Sequence, residues 1–199
     1  MKAIWVKTAN GPVWLTVPVL QAGHLQSTVS DILIDNALPW RRKHWKTLAE
    51  SYGKAPYFAK YAGFFEDVYA RSWERLVDLN AHMLKWFLAT LGIATPVRGD
   101  GEFDLQGRKS DLILDLCRKL GAKVFVFGAL GRDYADVGSF EREGIACHFQ
   151  DYRHPVYPQL HGDFVSHLSV VDLLFNCGDK SRDILMSGNL AKVDLLATQ

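Results

Sequence analysis

Between Pro39 and Gly92 three stretches of helical periodicity follow one another with joins of only a few residues, and no other feature narrows the fold so far. Trp40, His44, Leu48 and Tyr52 recur every four residues, which places them on one face of a helix that Gly53 is positioned to end. A second helix is predicted over residues 57–73, where Pro56 suits a first helical turn. The third, over 76–91, gathers Leu76, Leu79, Met83, Trp86, Phe87 and Leu91 on a broad apolar face before Gly92. Such faces must be buried against one another or against a sheet, so residues 39–92 are expected to form a helical layer or subdomain.

The flanking regions read differently. Residues 3–6 and 13–17 are β-rich runs separated by a segment containing Asn10-Gly11, a strong short-range hairpin signal. Pro18 should end the second strand or place it on an edge, and residues 30–34 are expected to continue the sheet after the polar loop 21–28. Further on, Ser110-Asp111 starts a helix whose stripe is Leu112, Ile113, Leu116, Cys117 and Leu120, and Gly121 ends it. The apolar run 123–127 fits a buried parallel strand, a short helix is predicted over 134–143, and 145–149 is the next strand. Ser169 is placed to cap a helix over 170–175, Gly178 to stop it, and 181–186 to form a last helix. The expected fold class is α/β, a mostly parallel sheet with flanking helices, a helical layer and an N-terminal β-hairpin. It is expected as one domain, 1–199, with the helical subdomain at 39–92 and a βαβ, motif-bearing part at 108–199.

Composition removes several classes of function. With 199 residues, 48% of them hydrophobic and six of them Trp, the chain can support a full core without metal or disulfide staples. Twenty-three basic against 22 acidic residues give a net charge of +1, so no molecular field draws the chain to nucleic acid, and none is expected as a partner. The run from Trp40 to Lys46 interleaves aromatic and basic residues. Helical spacing nevertheless separates Trp40 and His44 from Arg42, Lys43 and Lys46, which read as a solvated face. Cys117, Cys147 and Cys177 are widely spaced in apolar surroundings and read as buried reduced thiols. No segment approaches a membrane span and the N-terminus has no apolar leader core, so a cytoplasmic protein is expected.

Chemistry concentrates in residues 148–167, which hold four of the seven histidines: His148, His154, His161 and His167. This loop begins behind a predicted parallel strand, where α/β sheets bind ligands, so Asp151, Arg153 and His154 would stand at the edge of a crevice. A histidine beside a carboxylate can serve as general acid or base near neutral pH, which makes His154 with Asp151 the catalytic candidates. Each could equally do no more than hold an irregular chain in place through backbone hydrogen bonds. The histidine spacings match neither a helical i, i+4 pair nor a Cys-x-x-Cys frame, so no metal site is expected, and no cofactor is assigned.

The turn Gly128-Ala129-Leu130-Gly131-Arg132-Asp133-Tyr134 joins a strand to a helix, and its N–H groups with Arg132 could hold a phosphate or carboxylate. A tight turn alone would also need such glycines. Asp172 could cap its helix or orient a histidine of the preceding loop. Asn80 and His82, beside the third apolar stripe, could reach a cleft or satisfy buried backbone.

These residues also carry a resemblance. Gly131-Arg132-Asp133-Tyr134, Phe149-Gln150-Asp151-Tyr152, His154-Pro155, Tyr157-Pro158-Gln159 and the block from Leu168 to Gly178, with Lys54-Ala55-Pro56-Tyr57-Phe58 and Leu79-Asn80 earlier, resemble the WbqC-like family over nearly the whole chain. The resemblance implies a transferase of O-antigen or related surface-polysaccharide synthesis, attaching glycine or another acyl group to a nucleotide-linked or lipid-linked sugar. A nucleotide sugar or acyl donor would be its small-molecule partner. Asp151, Tyr152, His154, Tyr157, Gln159, Ser169, Asp172 and Asn176 match the family pattern. Tyr157 and Asp172 thereby join the catalytic candidates, and Tyr152, Gln159 and Asn176 the binding candidates. The chain departs from the family in two respects. It starts at the hairpin, downstream of a Gln-Pro-x-Tyr-x-Pro-Trp type motif, and it has Phe127-Gly128 where Ser-Gly is usual. The alternative expectation is therefore an N-terminally truncated, noncatalytic partner or scaffold, whose exposed sheet edge would pair with another chain in a homo-oligomer.

Overall fold

The computed structural model describes residues 2–20 and 29–189, in a chain that divides into two compact units. The first unit takes residues up to 94 together with 154–185, and the second takes 95–153 with the residues from 186 onward.

In the first unit β1 (Ala3–Thr8) pairs antiparallel with β2 (Gly11–Thr16), in the register Trp5 opposite Trp14. Both strands run closer to the turn than expected, leaving only Ala9 and Asn10 as the loop. Gly11 carries a φ of +101°, a conformation open to glycine, and Thr8 Oγ1 donates to Gly11 O at 2.7 Å. Trp5 and Trp14 stack across the pair with centroids 5.7 Å apart.

The third strand expected at 30–34 is reduced to single bridges, Val19 with Ile34 and Leu33 with Arg75, behind a 3-10 turn at Val29–Asp31. The backbone there divides its hydrogen bonds between two segments, so no ladder develops. Leu33 O and Asp35 N bond Leu20 N and Pro18 O, whereas Ile34 N and Ile32 O bond Glu74 O and Leu76 N. The loop expected at 21–28 lies outside the described residues.

α1 (Trp40–Tyr52) buries Trp40, His44, Leu48 and Tyr52, the face its spacing predicted. α2 (Phe58–Ala70) stops short of the expected residue 73 because the backbone is extended at Arg71, and Trp73 Nε1 donates back to Val68 O at 2.8 Å. α3 (Leu76–Thr90) completes the layer, with Phe64 and Trp86 stacked at 3.9 Å between α2 and α3. Near the unit's C-terminal end, α6 (Val170–Cys177) is capped by Ser169, whose side chain accepts from Val171 N, and it buries seven of its eight residues. Its Phe175 packs on Tyr52, Phe58 and Phe65, each such buried ring contributing about 2–3 kcal/mol. Gly178 has a φ of +55°, and a side chain there would overlap the Tyr57 ring. A 3-10 turn, Gly178–Lys180, leads into α7 (Ser181–Ser187).

The second unit has a smaller core of its own: Leu114 and Cys117 from α4 (Ser110–Leu120), with Phe127, Phe140 and Ile145. β3 (Val124–Phe127) pairs parallel with β4 (Ala146–Phe149), and the link holds a 3-10 turn, Ala129–Asp133, and α5 (Val137–Arg142). α5 starts three residues later than predicted, because it is Asp136 that caps it, accepting from Ser139 N.

The chain is thus mixed α/β with an N-terminal hairpin and a small parallel sheet, but the mostly parallel sheet is not formed among the described residues. They contain two separate two-stranded sheets, one of them antiparallel. β3 is not the fully buried strand its apolar run suggests: Val126 is 40% exposed, because this pair is covered chiefly on the side that Phe127 faces. The three cysteines are free thiols, with Cys117 and Cys177 buried and Cys147 half-buried. No described helix is long and apolar enough to cross a membrane.

Candidate active site

Successive side chains of a strand point to opposite faces, yet Val6 and Lys7 are both buried, so β1 is covered on both sides at this end. Lys7, only 2% exposed, directs its ammonium at three oxygens: Gln159 Oε1 at 3.3 Å, Gly162 O at 3.2 Å and Asp163 O. An ammonium has three protons to donate, so this one is saturated. Gln159 fastens the same loop a second time, donating through Nε2 to Val165 O and accepting from Val165 N, each at 2.9 Å. The loop needs fastening, since His161 and His167 both hold positive φ, +64° and +61°.

Behind Lys7 the backbone leads to the carboxylate. Lys7 N donates to Tyr52 Oη at 2.9 Å, and Tyr52 Oη donates to Asp172 Oδ1 at 2.8 Å. Tyr52 and Asp172 are both 0% exposed, and Asp172 Oδ2 has no hydrogen-bond partner among the described residues. Burial pushes the Asp172 carboxyl above its ordinary range, against the opposing pull of Tyr52, Tyr157, Lys7 and Gln159. The same burial, with the Asp172 charge beside them, pushes the Tyr52 and Tyr157 hydroxyls far up, so both stay protonated donors.

Tyr157 connects this carboxylate to the half-buried His154, whose ring centroid lies 6.0 Å from that of Tyr157, 5.9 Å from Phe164 and 4.9 Å from His167. His154 Nδ1 lies 2.9 Å from Pro155 O. A carbonyl only accepts, so the proton sits on Nδ1 and Nε2 is the basic nitrogen. The first unit therefore brings together His154, Tyr157, Gln159 and Asp172, and places Asn176 one turn beyond, where Nδ2 donates to Asp172 O at 2.8 Å. Asp172 bonds Tyr52, neither capping its helix nor showing a bond to a histidine.

The second unit holds the other candidates. Asp151 is exposed and Tyr152 half-buried; neither shares a unit with His154. Gly131 is buried against Phe127, where an added Cβ would lie 2.5 Å from the Phe127 Cβ, whereas Gly128 has an ordinary φ and open space around it. The Arg132 guanidinium lies over the Phe149 ring at 4.7 Å, and the Tyr134 ring meets Phe127 edge to face. Gly131, Arg132 and Tyr134 thus each make a packing contact with Phe127 or Phe149. Among the described residues no group of three or more His, Cys, Asp and Glu side chains is arranged to hold a metal ion. Trp40 and His44 are buried while Arg42 and Lys43 are exposed, which separates the basic-aromatic run as its helical spacing predicted.

The WbqC-like protein family matches residues 2–184. The chain belongs to that family. It is also 32% identical over 182 residues to the uncharacterised protein Rv1507c of Mycobacterium tuberculosis (strain ATCC 25618 / H37Rv), covering 90% of this chain and 78% of that protein. No solved structure matches. Lys7 and Tyr52 are the members of this hydrogen-bonded cluster that sequence reasoning missed. The available signals were a lysine inside an apolar strand and a tyrosine hydroxyl carried inward on a buried helix face.

Proposed function

We propose that this WbqC-like protein is a cytoplasmic transferase of O-antigen or related surface-polysaccharide synthesis, moving glycine or another acyl group onto an activated sugar. The observation that supports it is the line from His154 through Tyr157 to the buried Asp172. In such a transfer the acceptor's oxygen or nitrogen lone pair forms a bond to the acyl carbon while its proton passes to His154 Nε2. The bond to the leaving group then breaks, its electron pair departs with that group, and His154 returns the proton to it. Tyr157 and Asp172 act here as positioning residues.

The test couples melting and turnover. Nucleotide sugars, nucleoside phosphates, glycine and divalent metals are screened for a rise in Tm, because a ligand of the folded state stabilises it by mass action. With the substrate so found, His154→Ala is expected to lose turnover and keep its Tm; retained turnover removes His154 from the reaction.

A second reading, a noncatalytic partner or scaffold, is favoured by one observation. Lys7, Tyr52 and Asp172 are sealed from solvent and the lysine's donors are all used within the fold. Absence of any ligand-induced shift in a cooperatively melting chain would favour that reading.

A further inference from the structure

Trp5 and Trp14 lie opposite each other on one face of the β1–β2 pair with ring planes 13° apart, so Trp5 covers one side of the Trp14 indole. Trp14 is nevertheless 64% exposed, a large apolar surface left to water. Val17 N bonds Lys2 O, so the Thr16 carbonyl, one residue earlier, turns away from β1, and there it meets α1 through His44 Nε2 at 3.2 Å. A cavity of about 340 Å³ lies along this side, lined by Trp14 and Thr16 from β2, Leu38 and Pro39, and Lys43 and Thr47 from α1. Its size reaches the lower end of small-molecule sites, and it shares no residue with the Lys7–Asp172 cluster.

The lining carries a single charge. Burial holds His44 down to about 4, so it is neutral at physiological pH, and no carboxylate stands among the described lining residues. Lys43 is exposed, and its ammonium makes no ion pair among the described residues. Plain hydrocarbon would leave this ammonium unused, and inorganic phosphate would leave the indole bare. A ligand that uses both sets a flat ring against the uncovered indole surface and an anion at the ammonium. Thr47 Oγ1 donates to Lys43 O at 2.9 Å, so its lone pairs remain to accept, and the exposed Thr16 adds a second hydroxyl. Hydroxyl groups on the ligand would find partners in these two.

We propose that this cavity binds a nucleoside phosphate, its base stacked on Trp14 and its phosphate held by Lys43. The site is separate from the line through His154 and does not rest on the transferase reading.

The experiment titrates the full chain with adenosine monophosphate, adenosine and ribose 5-phosphate in ligand-detected spectra. Adenosine monophosphate is expected to bind saturably. Adenosine should bind about tenfold more weakly for want of the charge-assisted contact, and ribose 5-phosphate about tenfold more weakly for want of the stack. Added salt should narrow the preference for adenosine monophosphate over adenosine. Trp14→Ala should erase the preference for adenosine monophosphate over ribose 5-phosphate, and Lys43→Gln the preference over adenosine; both positions are exposed, so both variants are expected to fold. The proposal is overturned by absence of saturable adenosine monophosphate binding, by either other probe binding as tightly, or by preferences unchanged in the two variants. A dimer that Trp14→Ala dissociates would also overturn it, by assigning the indole to a second copy of the chain. The titration of the unmodified chain is decisive even where a variant folds poorly.

Discussion

The polar groups of the first unit are organised differently from those of the second. Around Lys7 and Asp172 the hydrogen bonds join residues 45, 120 and 152 positions apart and lie in the interior. In the second unit Lys119 meets Asp115 four residues away, Arg142 meets Ser139 three away, and even the longer Arg118–Glu143 pair is half exposed. Exposed pairs are screened by water and contribute little, whereas a buried ammonium stripped of partners has no solvent to turn to. Lys7→Ala removes three hydrogen bonds from the loop at 159–163 and a positive charge from beside Asp172, and should cost about 3–5 kcal/mol in denaturant unfolding. Arg118→Ala should leave the midpoint nearly where it was. Equal effects would erase the contrast.

Proton linkage sharpens the same comparison. The folded state holds His44 at about 4, below the 6.5 of an unperturbed imidazole, so the unfolded chain binds the proton more readily between those values. The contribution of a neutral His44 is therefore intact above pH 6.5 and is lost as pH falls toward 4. Relative to His44→Gln, the native chain should lose about 3 kcal/mol across that window, measured by denaturation at each pH. A constant difference would mean that His44 is not buried as a neutral donor.

How much of this was legible follows the same division between local and distant. The face of α1, the Asn10-Gly11 hairpin, the Ser169 cap and the stop at Gly121 all depend on residues within a few positions of one another, and each stands where the pattern put it. The parallel sheet did not extend as expected because sheet size depends on which strands meet, which no local pattern records. The candidate site divides likewise. His154, Tyr157, Gln159 and Asp172 fall in one motif-bearing stretch, but Lys7 and Tyr52 reach them only through tertiary packing. A lone lysine in a strand ordinarily reads as an exposed edge residue.

Glycines provide a finer test. Gly178→Ala and Gly131→Ala force a methyl group against the Tyr57 and Phe127 side chains and should each cost about 1–3 kcal/mol, whereas Gly128→Ala meets nothing within 4 Å and should stay within about 0.5 kcal/mol. Loss of anion binding in Gly128→Ala with stability unchanged would instead assign that turn a role in binding. Asp172→Asn should give a smaller, pH-dependent change. Burial raises the carboxyl, so the aspartate form loses stability as pH rises through its displaced range while asparagine does not, and the difference in favour of asparagine grows with pH. The opposite slope would mean that Lys7 and the two tyrosines outweigh desolvation.

The smallest effect is expected at Arg132, where the two roles of one side chain can be separated. As a cover for Phe149 the guanidinium lies exposed on the ring at 4.7 Å, so Arg132→Ala should lower Tm only slightly, and Arg132→Lys less still. Added pyrophosphate should then leave the difference between native and variant unchanged. As an anion holder, the same guanidinium would make pyrophosphate raise the native Tm and not that of Arg132→Ala, with the gain fading as salt is added. Lysine keeps the charge but loses the bidentate fork, so a pyrophosphate effect that survives in Arg132→Lys would reflect charge alone, and one that disappears would reflect the geometry of the turn.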